Sequence, residues 1–101
     1  MYRYQWTVEI QYGRKREFLE IVDHIKRLEE SRGWVVASVW TAFSGRLHFV
    51  VLEAHYPDLA ALESEEEQRS SDAEFNDLMG RLLPLQVQSS SHVQLFVEHV
   101  S

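Results

Sequence analysis

A chain of 101 residues with a formal charge of −6 and no cysteine has room for one hydrophobic core and excludes disulfides, thiolate nucleophiles and thiolate metal sites. The acidic balance disfavours a nucleic-acid backbone as partner, and no apolar run approaches the roughly 20 residues that a membrane span needs. Met1-Tyr2-Arg3-Tyr4-Gln5 does not open a secretory signal, so a single cytoplasmic domain over residues 1–101 is the expectation.

Tyr2 to Tyr12 alternates, with Tyr2, Tyr4, Trp6, Val8, Ile10 and Tyr12 on one side and polar residues on the other; this predicts a strand that Gly13 ends. From Arg14 the period becomes helical. Phe18, Ile21, Val22, Ile25 and Leu28 make one stripe, charges take the other side, and Gly33 stands where a left-handed cap would close the helix. Two strands are predicted next, Trp34 to Ala42 and Arg46 to Tyr56, around the turn Phe43-Ser44-Gly45. Asp58 can cap a second helix, whose apolar positions Leu59 and Leu62 give way to Glu65-Glu66-Glu67, a solvated acidic turn. Ser71-Asp72-Ala73-Glu74 reads as a capping box that restarts the pattern through Phe75, Leu78, Met79 and Leu82, until Leu83-Pro84 stops it. A polar loop, Gln86 to Ser91, precedes a last strand from His92 to Val100, and neither a linker nor a second domain is predicted.

The order is β-α-β-β-α-α-β, the split arrangement of ferredoxin-like α+β domains. Right-handed crossovers then give a four-stranded antiparallel sheet in the order 4-1-3-2 with its helices on one face. The helix side takes Trp6, Val8, Ile10, Val35, Ala37, Val39, Val50, Leu52, Val93 and Leu95. The open side takes Arg3, Gln5, Thr7, Glu9, Trp34, Ser38, Trp40, Phe49, Val51, Glu53, His55, Gln94, Phe96 and Glu98. Left bare, its aromatic and β-branched residues would form a large exposed patch, so a second copy of the same sheet is the expected cover. The expected partner is therefore the chain itself, in a homodimer.

Strand 3 runs against strands 1 and 2, so Arg3, Gln5, Trp34, Glu53 and His55 should converge at one end of the open face, with Trp40 further along it. A carboxylate, an imidazole and a guanidinium beside an aromatic wall could bind a small polar aromatic molecule. His55 would act there as acid or base with Glu53, and Trp34, Trp40, Arg3 and Gln5 would hold the substrate. The alternative is an ion-pair network at the dimer rim. His48, His92 and His99 stand singly on strands and His24 on the first helix, which fits structural or surface roles rather than metal ligation, so no metal is expected. Gly13-Arg14-Lys15-Arg16 is either a solvated face or an anion site at a helix start.

Several stretches are similar to the dimeric α/β-barrel superfamily, in its NIPSNAP and antibiotic-biosynthesis-monooxygenase-like groups. They are Tyr12-Gly13 ahead of a helix with Phe18-Leu19, Gly45 before strand 3, Tyr56-Pro57-Asp58-Leu59-Ala60-Ala61-Leu62, and Ser71-Asp72-Ala73-Glu74-Phe75, which resembles a Ser-Pro-x-Phe segment. The resemblance implies a dimeric α/β barrel and, among its activities, cofactor-independent oxidation of aromatic or quinol substrates and haem degradation. Such proteins often carry a helical histidine three residues after the leucine matched by Leu62. Glu65 stands there, and Tyr56 to Leu83 contains no histidine, which argues against haem; no cofactor is expected. Two readings follow: a non-enzymatic homodimer that binds a small aromatic molecule, and a cofactor-independent oxygenase-like enzyme. A third, an RNA-binding domain of the same topology, lacks the basic setting it would need.

Overall fold

The alternation at the start of the chain forms β1 (Tyr2–Glu9), and this strand lies inside the sheet rather than at its edge. In the computed structural model, which describes residues 1–100, β1 is followed by α1 (Lys15–Arg32), β2 (Ser38–Thr41), β3 (Phe49–Tyr56), α2 (Leu59–Ser70), α3 (Ala73–Leu82) and β4 (His92–Val97). The four strands are ordered β2-β3-β1-β4 and are antiparallel throughout, the predicted ferredoxin-like arrangement. The register of β1 runs from Tyr2↔Tyr56 to Glu9↔Phe49 on one side and from Tyr2↔Val97 to Thr7↔His92 on the other.

One face of this sheet carries the core. Val8, Ile10, Val50 and Leu52 pack with Phe18, Val22, Ile25 and Leu28 of α1 and with Leu78 and Leu82 of α3. Leu85, in the 3-10 turn Leu83–Leu85, closes the cluster. Asp58 and Asp72 cap their helices through side-chain oxygens that accept from Ala61 N and Phe75 N at 2.8 and 3.0 Å. Gly33 ends α1 at φ 73°, where its N–H reaches Glu30 O and the Trp34 N–H reaches Glu29 O at 3.2 and 3.0 Å. A Cβ there would meet nothing, so the cost of one is conformational. Gly33→Ala should destabilise the fold by about 1–2 kcal/mol, measured by urea unfolding, with no change in the cavity described below.

Several boundaries differ from the sequence expectation, beginning with β1, which ends at Glu9 rather than at Tyr12. The strand predicted over Trp34 to Ala42 is reduced to Ser38–Thr41, and its hairpin partner begins at Phe49 rather than Arg46. The reason lies upstream of β2. Val35 N donates to Glu65 Oε1 at 3.0 Å and Ala37 N to Glu29 Oε1 at 3.3 Å, so carboxylates from two helices take backbone donors that a ladder would need. The second helix does not break at Glu65-Glu66-Glu67 but continues to Ser70. The last strand stops at Val97. Val93 and Leu95 pair with Trp6 and Tyr4 and so share their face, yet they remain 59% and 43% exposed because the helices do not reach over the edge strand.

Candidate functional site

On the open face, Arg3, Gln5, Glu53 and His55 do come together. Register sets Gln5 opposite Glu53 and Arg3 opposite His55, and residues of like parity point away from the helices. Glu53 Oε1 accepts from Arg3 Nε at 2.9 Å and contacts His55 Nε2 at 2.8 Å, while Gln5 Nε2 donates to Oε2 at 3.4 Å. The His55 hydrogen bond, with help from Gln5 and Arg3, holds the Glu53 carboxyl below the usual carboxylate range. Ser38 lies opposite Glu53 on β2, and Trp40, 60% exposed, bonds the Ser38 hydroxyl through its indole N–H. Trp40 therefore lies on the same face as the network and next to it.

Trp34 does not. Because the chain before β2 leaves the strand path, its ring turns to the helix side and is buried. There it donates to Gln68 Oε1 at 2.8 Å and meets Phe75 edge-on, with ring centroids 6.0 Å apart. The expectation that Trp34 walls the Glu53 and His55 cluster is overturned by this placement.

Trp34 belongs instead to a buried polar cluster around Arg69. The Arg69 guanidinium donates to Glu29 Oε2 at 2.8 Å, Tyr56 Oη at 2.9 Å and Val35 O at 3.0 Å, and pairs with Glu65 Oε1 at 3.2 Å. It also lies 5.2 Å from the centroid of the Trp34 ring, within cation–π range. Burial raises the Glu29 carboxyl and the Tyr56 phenol, although Arg69 pulls both back towards their charged forms. Burial also works against the charge on Arg69, but its Tyr56 and Glu29 contacts outweigh that and lift its pKa above the ordinary arginine value.

Between sheet and helices this cluster borders a cavity of about 560 Å³. Its apolar walls include Trp6, Leu52 and Ala54 from the sheet and Ile25, Phe75 and Met79 from the helices. Glu53 also borders it, but the Glu53 carboxylate is engaged on the opposite face. The polar lining divides in two. Glu29, Tyr56 and Arg69 are saturated by one another, whereas the side chains of Tyr4, Lys26, Glu66 and Gln86 have no hydrogen-bond or ion-pair partner among the described residues. Burial, then the nearby Glu66 carboxylate, raises the Tyr4 phenol and keeps it a hydrogen-bond donor at neutral pH. No histidine lines the cavity, and among the described residues no three acidic or histidine side chains converge as a metal site would require.

The basic run at the start of α1 is occupied locally. Arg14 pairs with Glu17 at 2.8 Å, Arg16 with Glu20 at 3.5 Å, and Lys15 Nζ donates to Leu47 O at 3.3 Å. That is the pattern of a solvated helix face rather than of an anion site.

No protein-family model and no curated protein matches the chain. Solved structures do. An uncharacterised NIPSNAP domain protein from Burkholderia xenovorans superposes with a TM-score of 0.80 at 23% identity, over 98% of this chain and 95% of that one. The two chains share one fold. A NIPSNAP family protein from Agrobacterium tumefaciens gives 0.78 at 18% identity, over 97% of this chain and 85% of that one. An antibiotic biosynthesis monooxygenase gives 0.76 at 14% identity, over 99% of this chain and all of the other. The NIPSNAP-type fold and its monooxygenase-like variant are thus the pair that the sequence resemblance implied.

Proposed function

We propose that this protein is a homodimer that binds a small aromatic molecule in the cavity between its sheet and its helices. The observation that carries this reading is the cavity itself: about 560 Å³, walled by aromatic and aliphatic side chains, with a few unpartnered polar groups on its lining. Ligand sites have this size and this mixture, an apolar body with a few polar groups that fix orientation. Tyr4 is the natural anchor, since it lines the cavity and its hydroxyl has no hydrogen-bond partner among the described residues. The dimer is supported by the open face, where Trp40 and Phe96 are 60% and 41% exposed and Val51 and Phe49 are half-buried. A second copy is the cover that removes most apolar surface at once. The Arg3–Glu53–His55 network then lies at the seam, and Arg3, Gln5 and Trp40 contribute to the interface rather than to the cavity.

The test is native mass spectrometry followed by titration with 1-naphthol, using tryptophan fluorescence, since Trp6 lines the cavity. The expected result is a dimer that binds 1-naphthol, and a Tyr4→Phe variant that binds it about 5- to 10-fold more weakly through loss of one neutral hydrogen bond. A monomer at micromolar concentration would sink the dimer, and absence of probe binding would sink the cavity reading. The 2.8 Å contact of His55 with Glu53 supports a second reading, a cofactor-independent oxygenase in which this pair is the acid–base element. Oxygen uptake on adding 1-naphthol, lost in His55→Ala, would carry that reading; binding without uptake leaves the protein a binder.

A further inference from the structure

Three of the four glycines, Gly13, Gly33 and Gly45, occupy positive φ and are required by the backbone. Gly80 is the exception. It lies within α3 at negative φ, where glycine is among the least favourable residues. Close packing does not demand it either, because a Cβ built on Gly80 meets no atom within 4 Å. What Gly80 does is line the cavity at its exposed rim, with Met79 and Leu83, in a lining that also includes the sheet residue Ala54. Ala54 is a second small residue in an unfavourable context, since alanine is depleted from strands and β3 is otherwise rich in large side chains. Local preference is therefore overruled on both sides of the same space, as happens where a site rather than the fold sets the residue.

We propose that Gly80 sets the size limit of the ligand: the bound molecule extends to α3 and fills the volume that a side chain at residue 80 would take. This rests on the cavity reading above. It gives that cavity a length, and it makes α3 a wall that selects by size rather than by charge.

The experiment compares a small and a large neutral probe, indole and pyrene, on wild-type protein and on Gly80→Ala and Gly80→Leu. Both variants should fold, and the alanine variant should melt a few degrees higher, as a helical glycine replaced by alanine does. Pyrene affinity should fall by roughly tenfold or more in Gly80→Leu and by a smaller factor in Gly80→Ala, since one methylene in a tight pocket has an effect of that size. Indole affinity should stay within about twofold, because a probe that small leaves the space at residue 80 unfilled. The ratio of the two affinities is the decisive readout, and damage to the fold would not move it selectively. Unchanged pyrene binding in Gly80→Leu, or equal loss of both probes, overturns the proposal while leaving the cavity in place. If the leucine variant does not fold, the alanine variant still reports the ratio, and no change in it is the overturning result. Wild-type protein that binds neither probe overturns the cavity reading and this inference together.

Discussion

Arg69→Met is expected to lower the unfolding free energy by about 3–5 kcal/mol, the usual consequence of removing one partner from a buried ion pair. Methionine replaces much of the aliphatic stem but leaves Glu29, 5% exposed, with no cation. It also strips hydrogen bonds from Tyr56 Oη and Val35 O. Against a total stability of about 5–15 kcal/mol for a domain of this kind, such a loss brings the chain close to its folding threshold. The deficit should depend on pH, with a definite sign. Burial already holds the Glu29 carboxyl above its ordinary value, and without Arg69 it rises further. A carboxyl whose folded pKa is raised is destabilising once pH climbs above its unfolded value, and progressively so up to the folded one. The difference between variant and wild type should therefore be largest at neutral pH and should shrink on acidification towards about pH 4, where Glu29 takes up a proton in both states. Adding Glu29→Gln to Arg69→Met should recover part of the loss at neutral pH. Urea unfolding of the three proteins at both pH values decides the matter. A deficit under about 1 kcal/mol would reduce the Arg69 cluster to a surface-like pair.

Val51→Asp addresses the other face. Val51 lies between Trp40 on β2 and Thr7 on β1, on the side of the sheet away from the helices. If that face packs on a second copy, an aspartate there is buried against apolar side chains without a partner. The penalty of several kcal/mol should raise the dimer dissociation constant by at least about a hundredfold. Sedimentation velocity at micromolar concentration should show dimeric wild-type protein and a monomeric variant, with the same far-ultraviolet circular dichroism, because the core lies on the opposite face. A variant that stays dimeric would move the interface elsewhere on the molecule.

What was legible in the sequence was whatever obeyed a single period. The alternation of β1 and the stripe of α1 predicted both elements and the face each presents, and topology rules then ordered the strands. What was not legible is the cluster that joins them. Glu29 falls on the Phe18, Val22, Ile25 line of α1, and Glu65 and Arg69 follow Leu62 on one face of α2, so a charge on an apolar line was the available signal. Within one helix only the Glu65–Arg69 pair, four residues apart on α2, was visible, since Glu29 and Arg69 meet across 40 residues of chain. The same blindness misplaced Trp34. Its neighbours Val35, Val36 and Val39 carry strand propensity, but Glu65 and Glu29 take the Val35 and Ala37 amides, and β2 begins only at Ser38. Tertiary hydrogen bonds overrode local preference there. The candidate site divided in the same way. Register alone brought Arg3, Gln5, Glu53 and His55 together, whereas the cavity depends on how far the helices stand from the sheet, which no periodicity encodes.

The position of β1 has a kinetic consequence. The earliest strand in the chain must accept one neighbour from residues 49–56 and another from residues 92–97. During synthesis one edge of β1 stays bare until residues 49–56 are made, and the other until residues 92–97 are. The early α1 can cover Val8 and Ile10 on one face, but the loop between β1 and β4 must close before the sheet is whole. Folding of such non-local topologies is slower than that of helical bundles, whose contacts are local. The nascent chain is thus most exposed to misassociation just before its last strand arrives.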